Sequence, residues 1–145
     1  WSAVPFWIRV IDEVARGDRM LIVALEDGVS VGCVQLVLGM PPNQMHRAEV
    51  TKLLVRRSAR GRGVGEALMR RCEVEAGLHG RTLLTLDTAI GSPAERLYRR
   101  LGWREVGSIP GYALFPDGEP CDTVLFWKRM DHVHLDDDDD DGLAG

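Results

Sequence analysis

The apolar run Val50-Thr51-Lys52-Leu53-Leu54-Val55 is followed, four residues later, by Arg60-Gly61-Arg62-Gly63-Val64-Gly65, and a helical pattern starts at Val64. A strand that turns through a glycine-rich loop into a helix leaves the first N–H groups of that helix without intrahelical partners, at the positive end of its dipole. Such a junction cradles an anion. Gly63 and Gly65 let the backbone approach phosphate oxygens with no Cβ in the way, and Arg60 and Arg62 offer charge-assisted hydrogen bonds. The expected ligand carries a pyrophosphate.

Around this junction strands and helices alternate. Pro5 to Arg16 spaces Phe6, Trp7, Val10, Ile11, Val14 and Ala15 at a helical period, with Gly17 past the end, which predicts a helix packed on a sheet. Arg19 to Glu26 and Ser30 to Leu38 are strand runs joined by Asp27-Gly28, a hairpin turn. Gly39 to His46, with Pro41-Pro42-Asn43, is a loop, and Arg47 to Val55 is the third strand. Gly63 to about Ala76 is a helix with Val64, Ala67, Leu68 and Cys72 on its apolar face. Thr82 to Asp87 is a strand, and Ser92-Pro93-Ala94-Glu95 is a capping box that opens a second helix through Tyr98 to Gly102. Trp103 to Ile109 and Asp122 to Met130 close the pattern as strands. The hairpin demands antiparallel neighbours and strand-helix-strand over residues 47–87 a parallel crossover, so the fold class is α/β with a mixed sheet.

The phosphate loop is of neither common nucleotide type. Gly, four residues, then Gly-Lys-Ser or Gly-Lys-Thr occurs nowhere, and glycines at 61, 63 and 65 miss the last interval of the dinucleotide fingerprint, where position 66 is Glu. Arg-x-x-Gly-x-Gly, met by Arg60, Gly63 and Gly65, resembles the acetyl-CoA loop of the GNAT superfamily of N-acetyltransferases. Ala94-Glu95-Arg96-Leu97-Tyr98-Arg99-Arg100-Leu101-Gly102-Trp103 resembles that family's second signature, a helix that carries a Tyr and ends in Gly and an aromatic residue. The resemblance covers roughly residues 4–130. It implies the GNAT fold, a mixed central sheet flanked by helices in which two parallel strands splay apart around the pantetheine arm of CoA, with acetyl-CoA as co-substrate and no metal.

The family's usual first strand and first helix are missing at the front. Because the chain opens at Trp1 rather than Met, the expectation is one N-terminally incomplete domain over residues 1–131 and an acidic, disordered tail over 132–145. Asp136 to Asp141 supply six of the 22 acidic residues, which leaves 16 against 18 Lys plus Arg in the body, a charge of +2. That balance argues against a dedicated nucleic-acid surface. The scattered Cys33, Cys72 and Cys121 lack metal spacing, and no apolar run approaches the ~20 residues of a membrane span. A cytoplasmic monomer or homodimer is expected, with neither nucleic acid nor membrane as partner.

Acetyl transfer to an amine needs an N–H for the developing oxyanion, a base for the ammonium proton and an acid for the departing thiolate. The resemblance implies that the main chain of Leu53, Leu54 and Val55 pairs with pantetheine and presents that N–H, and that the loop Arg60, Gly61, Arg62, Gly63, Val64 and Gly65 holds the pyrophosphate. Tyr98 occupies the family's position for the acid, and a phenol of pKa ~10 is neutral at work. Glu49, placed by period two on one face with Thr51, Leu53 and Val55, matches a general-base position; its structural alternative is an ion pair with Arg47 or Arg56. Asp87 stands at the carboxyl end of the parallel strand, where open α/β sheets bind ligands. Asn43, Gln44, His46 and Arg47 are candidate acceptor contacts, with Arg47 suited to a carboxylate.

The stretch Asn43 to Val55, together with Leu83 to Asp87 and the Ile109 to Leu114 loop, is similar to the tabtoxin-resistance-type branch, which acetylates an amino-acid-like toxin and favours Tyr98 and Asp87 as the working pair. The function expected is N-acetylation of a small polar amine, amino-acid-like or a toxin or antibiotic, by direct attack in a ternary complex. Peptide or protein acetylation and a non-catalytic CoA-binding module are the alternatives.

Overall fold

The computed structural model describes residues 6–12 and 18–130. Its elements are β1 (Trp7–Asp12), β2 (Arg19–Glu26), β3 (Val29–Val37), β4 (Arg47–Val55), α1 (Val64–Leu78), β5 (Leu83–Ala89), α2 (Pro93–Arg100), β6 (Arg104–Leu114) and β7 (Pro120–Arg129). They build one seven-stranded sheet in the order β1-β2-β3-β4-β5-β7-β6. Only β4 and β5 are parallel, joined by the α1 crossover. The Asp27-Gly28 turn has φ of 52° and 79°, the left-handed pair that suits a two-residue hairpin between twisted strands.

The first element corrects the expected helix over Pro5 to Arg16. Phe6, Ile8 and Val10 pack toward the core while Trp7, 71% exposed, and Ile11 point away, so the period is two. The strand pairs antiparallel with β2 from Trp7 opposite Leu25 to Asp12 opposite Met20, which supplies a partner for main-chain groups that an isolated helix would have satisfied itself. Residues 13–17 and the tail at 132–145 lie outside the described residues.

Register assigns each side chain to a face. Met20, Ile22, Val34, Leu36, Ala48, Val50, Leu84, Leu86 and Phe126 share one face and are almost fully buried. Against them lie Val64, Leu68, Met69 and Cys72 of α1 and Tyr98 of α2. Each such side chain contributes roughly 1.5–3 kcal/mol on leaving water. Both described α-helices therefore cover this helical face, and no described α-helix covers the opposite, open face.

Two irregularities shape the centre. β4 and β5 are in register over three pairs only, Arg47 with Leu83, Ala48 with Leu84 and Glu49 with Thr85, although the strands run on to Val55 and Ala89. Above Thr85 they part. On the other side of β4, Gln35 pairs with Thr51 and Cys33 with Leu54, so β4 carries one residue more than β3. This is a β-bulge, with Lys52 at φ 55° and no register partner for Lys52 or Leu53. It reverses the alternation: Glu49, Thr51 and Leu54 face the open side, while Val50, Leu53 and Val55 face the helices. The expected common face of Glu49, Thr51, Leu53 and Val55 is thereby corrected.

Gly32 holds the bulge against α1. A Cβ there would stand 3.0 Å from the Leu54 carbonyl oxygen, 3.0 Å from Val64 Cγ1 and 3.2 Å from Leu68 Cδ1. Gly32→Ala is expected to destabilise the fold by about 1–3 kcal/mol through overpacking, read as a lower denaturation midpoint at unchanged slope. An unchanged midpoint would mean that β3 and α1 are free to separate here.

Candidate active site

The splay meets the glycine-rich loop where β4 ends. Gly63, at φ 81°, is the N-cap of α1, and the first helical bond runs from the Ala67 N–H to the Gly63 carbonyl. Among the described residues, the N–H groups of residues 61–66 donate to no protein acceptor. Six amides at the positive end of a fifteen-residue helix fit a pyrophosphate. A Cβ added at Gly61 or Gly63 would meet no protein atom within 4 Å, so the space in front of the loop is open.

The two loop arginines differ from expectation in one respect. Arg60 Nε donates to the Val55 carbonyl at 3.3 Å and remains exposed. Arg62 instead gives its two terminal nitrogens to the Glu26 carboxylate, each at 2.9 Å. That fork hydrogen bond holds Glu26 below its usual pKa and ties the loop to the end of β2. The Arg62 side chain thus tethers the loop to the end of β2.

Tyr98 is 4% exposed, its ring between Trp103 and Phe126 at centroid distances of 6.0 and 6.1 Å. Ser92 caps its helix by accepting from the Glu95 N–H at 3.2 Å, while Glu95 Oε1 accepts from Gly91 N at 2.6 Å. The Tyr98 hydroxyl has no partner among the described residues and is not among the fully enclosed unpaired atoms, so what accessibility the residue has includes its oxygen. Burial pushes the phenol far above its ordinary pKa, with the Cys72 and Asp87 charges acting in the same direction. The phenol is a neutral donor at any working pH.

On the open face, register sets Glu49 beside Thr85 at the point of parting, with Asp87 one repeat further along β5. Glu49 makes no ion pair with Arg47, Arg56 or any described residue. Desolvation raises the Asp87 carboxyl above its ordinary value. Thr51 Oγ1 is buried without a partner. Arg47 donates through Nε and Nη2 to Gln44 Oε1 at 3.1 and 2.6 Å and through Nη1 to Thr85 Oγ1 at 2.7 Å. Asn43 and His46 are exposed, and neither side chain makes a hydrogen bond with a described residue; the His46 carbonyl accepts from Thr82 N at 2.8 Å. The structure therefore brings Glu49, Asp87, Arg47 and Gln44 to one face and leaves Asn43 and His46 at its rim. Thr51 and the Lys52 bulge were not singled out from sequence, since neither residue type signals a bulge.

A family model described as an acetyltransferase (GNAT) domain matches residues 17–105. The chain is 29% identical over 107 residues to an IAA acetyltransferase of Azospirillum brasilense, which covers 73% of this chain and 68% of that protein. It is 30% identical over 115 residues to an N-acetylaspartate synthetase of Danio rerio, covering 78% of this chain and 40% of that protein. Among solved structures, an acetyltransferase of the GNAT family from Streptococcus pneumoniae superposes with a TM-score of 0.72 at 19% identity, over 81% of this chain and 71% of the other. YncA from Salmonella typhimurium, solved with acetyl-CoA, gives 0.69 at 21% identity over 79% and 66%.

Two substitutions probe this geometry. Gly63→Val adds a branched Cβ where the left-handed backbone and the open cradle need none, and should weaken acetyl-CoA binding at least about tenfold by calorimetry. Asp87→Asn tests the raised carboxyl. A group whose folded pKa is raised favours folding below its unfolded pKa, and that benefit is lost as pH rises through the folded value. The asparagine variant, uncharged throughout, should therefore melt no lower than the parent at pH 7, with the gap closing toward pH 4. A clear drop in melting temperature would assign the carboxylate to stability.

Proposed function

The chain belongs to the GNAT acetyltransferase family, and from that premise we propose that it transfers the acetyl group of acetyl-CoA to the primary amine of a small polar, amino-acid-like acceptor by direct attack in a ternary complex. The observation that carries this reading is the coincidence of a parted strand pair with six unpaired amides at the α1 N-terminus. Acetyl-CoA supplies an activated acyl group whose thiol is a good leaving group. The rest falls to this chain.

Residues 61–66 bind the pyrophosphate, and the main chain of Leu53, Leu54 and Val55 pairs with the pantetheine amides in the gap. The N–H groups freed by the bulge point a donor at the thioester carbonyl, where negative charge develops. Glu49 and Asp87 stand on the open face to take the ammonium proton, and their placement there leaves the helical face to the acid. Tyr98 donates a hydrogen bond to the departing sulfur. Its raised pKa makes full transfer costly, so it shares its proton as charge builds on sulfur and does not exist as free tyrosinate.

One relative named for an N-acetylated amino acid supports an amino-acid-like acceptor, a toxin or antibiotic with such an amine included. The free Cys33, Cys72 and Cys121 suit a reducing, cytoplasmic setting. The reading is tested by incubating the chain with acetyl-CoA and a panel of amines and following free-thiol release. Turnover with amino-acid amines supports it; turnover with peptides alone moves the acceptor class, and none at all leaves a CoA-binding module. Tyr98→Phe keeps the ring packing and removes the donor. It should lower kcat by about 10²-fold with acetyl-CoA affinity nearly unchanged. A parallel loss of affinity would make Tyr98 a packing residue.

A further inference from the structure

Arginines gather at the base of the open face without carboxylate partners among the described residues. Register places Arg47, Leu83 and Arg129 in one row across β4, β5 and β7. The next row, two residues or about 6.6 Å along the strands, holds Glu49, Thr85, Trp127 and Arg104. Arg104 and Arg129 each stack on the Trp127 ring, with guanidinium carbons 5.6 Å from its centroid. None of the three arginines forms an ion pair with a described residue, although six ion pairs engage other cations of this chain.

Arg47 is the most constrained of the three. It is half-buried, and its three hydrogen bonds run to the neutral oxygens of Gln44 and Thr85. Of its five N–H groups, one on each terminal nitrogen is left over. A fixed guanidinium with no ion-pair partner among the described residues and two donors spare suits a carboxylate, and Arg104 and Arg129 extend the positive field across the neighbouring strands. Arg47 and Arg129 lie one strand repeat before the place where β4 and β5 part, and Arg104 lies in the row where they part.

We propose that this cluster makes the acceptor subsite selective for amines that carry two carboxylates, an acidic amino acid, with Arg47 holding one carboxylate and Arg104 and Arg129 facing the other across Trp127. The proposal rests on the acetyl-transfer reading for what happens at the amine. It goes beyond that reading in fixing the charge of the acceptor. The amine is then left on the side of Glu49 and Asp87, whose negative charges repel the carboxylates and attract the ammonium, so the field orients the molecule as well as selecting it.

The test uses the full chain with CoA or acetyl-CoA present. Glutarate, which has both carboxylates and no amine, should bind by calorimetry and inhibit competitively against the acceptor. Glutamate and aspartate should exceed glutamine and asparagine in kcat/KM by at least about tenfold. Arg47→Gln should raise the glutamate KM by about 10- to 100-fold, abolish the preference over glutamine and weaken glutarate, with KM for acetyl-CoA nearly unchanged. Arg129→Gln, at an exposed position, should give a smaller loss in the same direction. If neutral amines react as well as acidic ones and glutarate does not bind, this proposal is overturned while acetyl transfer stands. If glutarate binds through Arg47 and no amine is acetylated, the anion subsite stands and acetyl transfer falls.

Discussion

Two parallel strands that share three rungs and then separate set up everything else in this molecule. Neighbouring strands normally satisfy one another's N–H and C=O groups, and groups left unmatched in a half-enclosed place cost free energy. Above Glu49 and Thr85 that cost is accepted along β4 and β5 at once. A flexible arm that carries amides at strand-like spacing can enter the gap and restore the missing hydrogen bonds, so the separation both creates the binding site and selects what fits it. The same parting brings the end of β4 to the α1 N-terminus, and the amide-rich cradle lies where such an arm would emerge.

The bulge at Lys52 decides which side chains meet which reactant. Without it, Glu49 and Leu53 would share a face, and an apolar residue would stand among the polar groups of the open side. One extra residue turns Leu53 and Val55 into core contacts and leaves Glu49 and Thr51 on the open face. A non-glycine residue at φ 55° carries strain, and Gly32, packed within 3.0 Å of the Leu54 carbonyl, marks how tightly the surroundings hold it. The outcome is a sheet with two working faces. Tyr98 lies on the helical side, and Glu49, Asp87 and the Arg47 row lie on the open side.

Much of this was legible in the sequence because it depends on local chemistry. The glycine-rich junction at 60–65, the Ser92 cap and the Asp27-Gly28 turn each declare themselves within a few residues, and strand β4 has the bounds its apolar pattern suggested. What escaped depends on partners far along the chain. Phe6, Trp7, Val10 and Ile11 fit a helical period as well as an alternating one, and only the available edge of β2 decides between them. Arg62 looked free for phosphate because its partner, Glu26, lies thirty-six positions away. Lys52 gave no sign of a bulge, since the extra residue is fixed by the pairing of Cys33 and Gln35 and not by its own type. The row of Arg47 and Arg129 likewise exists only once three strands are in register.

The fold also brings Asp87 and Tyr98 within electrostatic reach of each other. The Asp87 charge is one of the causes that raise the Tyr98 pKa, so the carboxylate and the phenol sense each other across the sheet. Desolvation raises the Asp87 carboxyl itself above its ordinary value, which makes it a stronger base than an ordinary aspartate. A proton on Asp87 removes one of the charges that raise the phenol, so the two groups titrate as a linked pair.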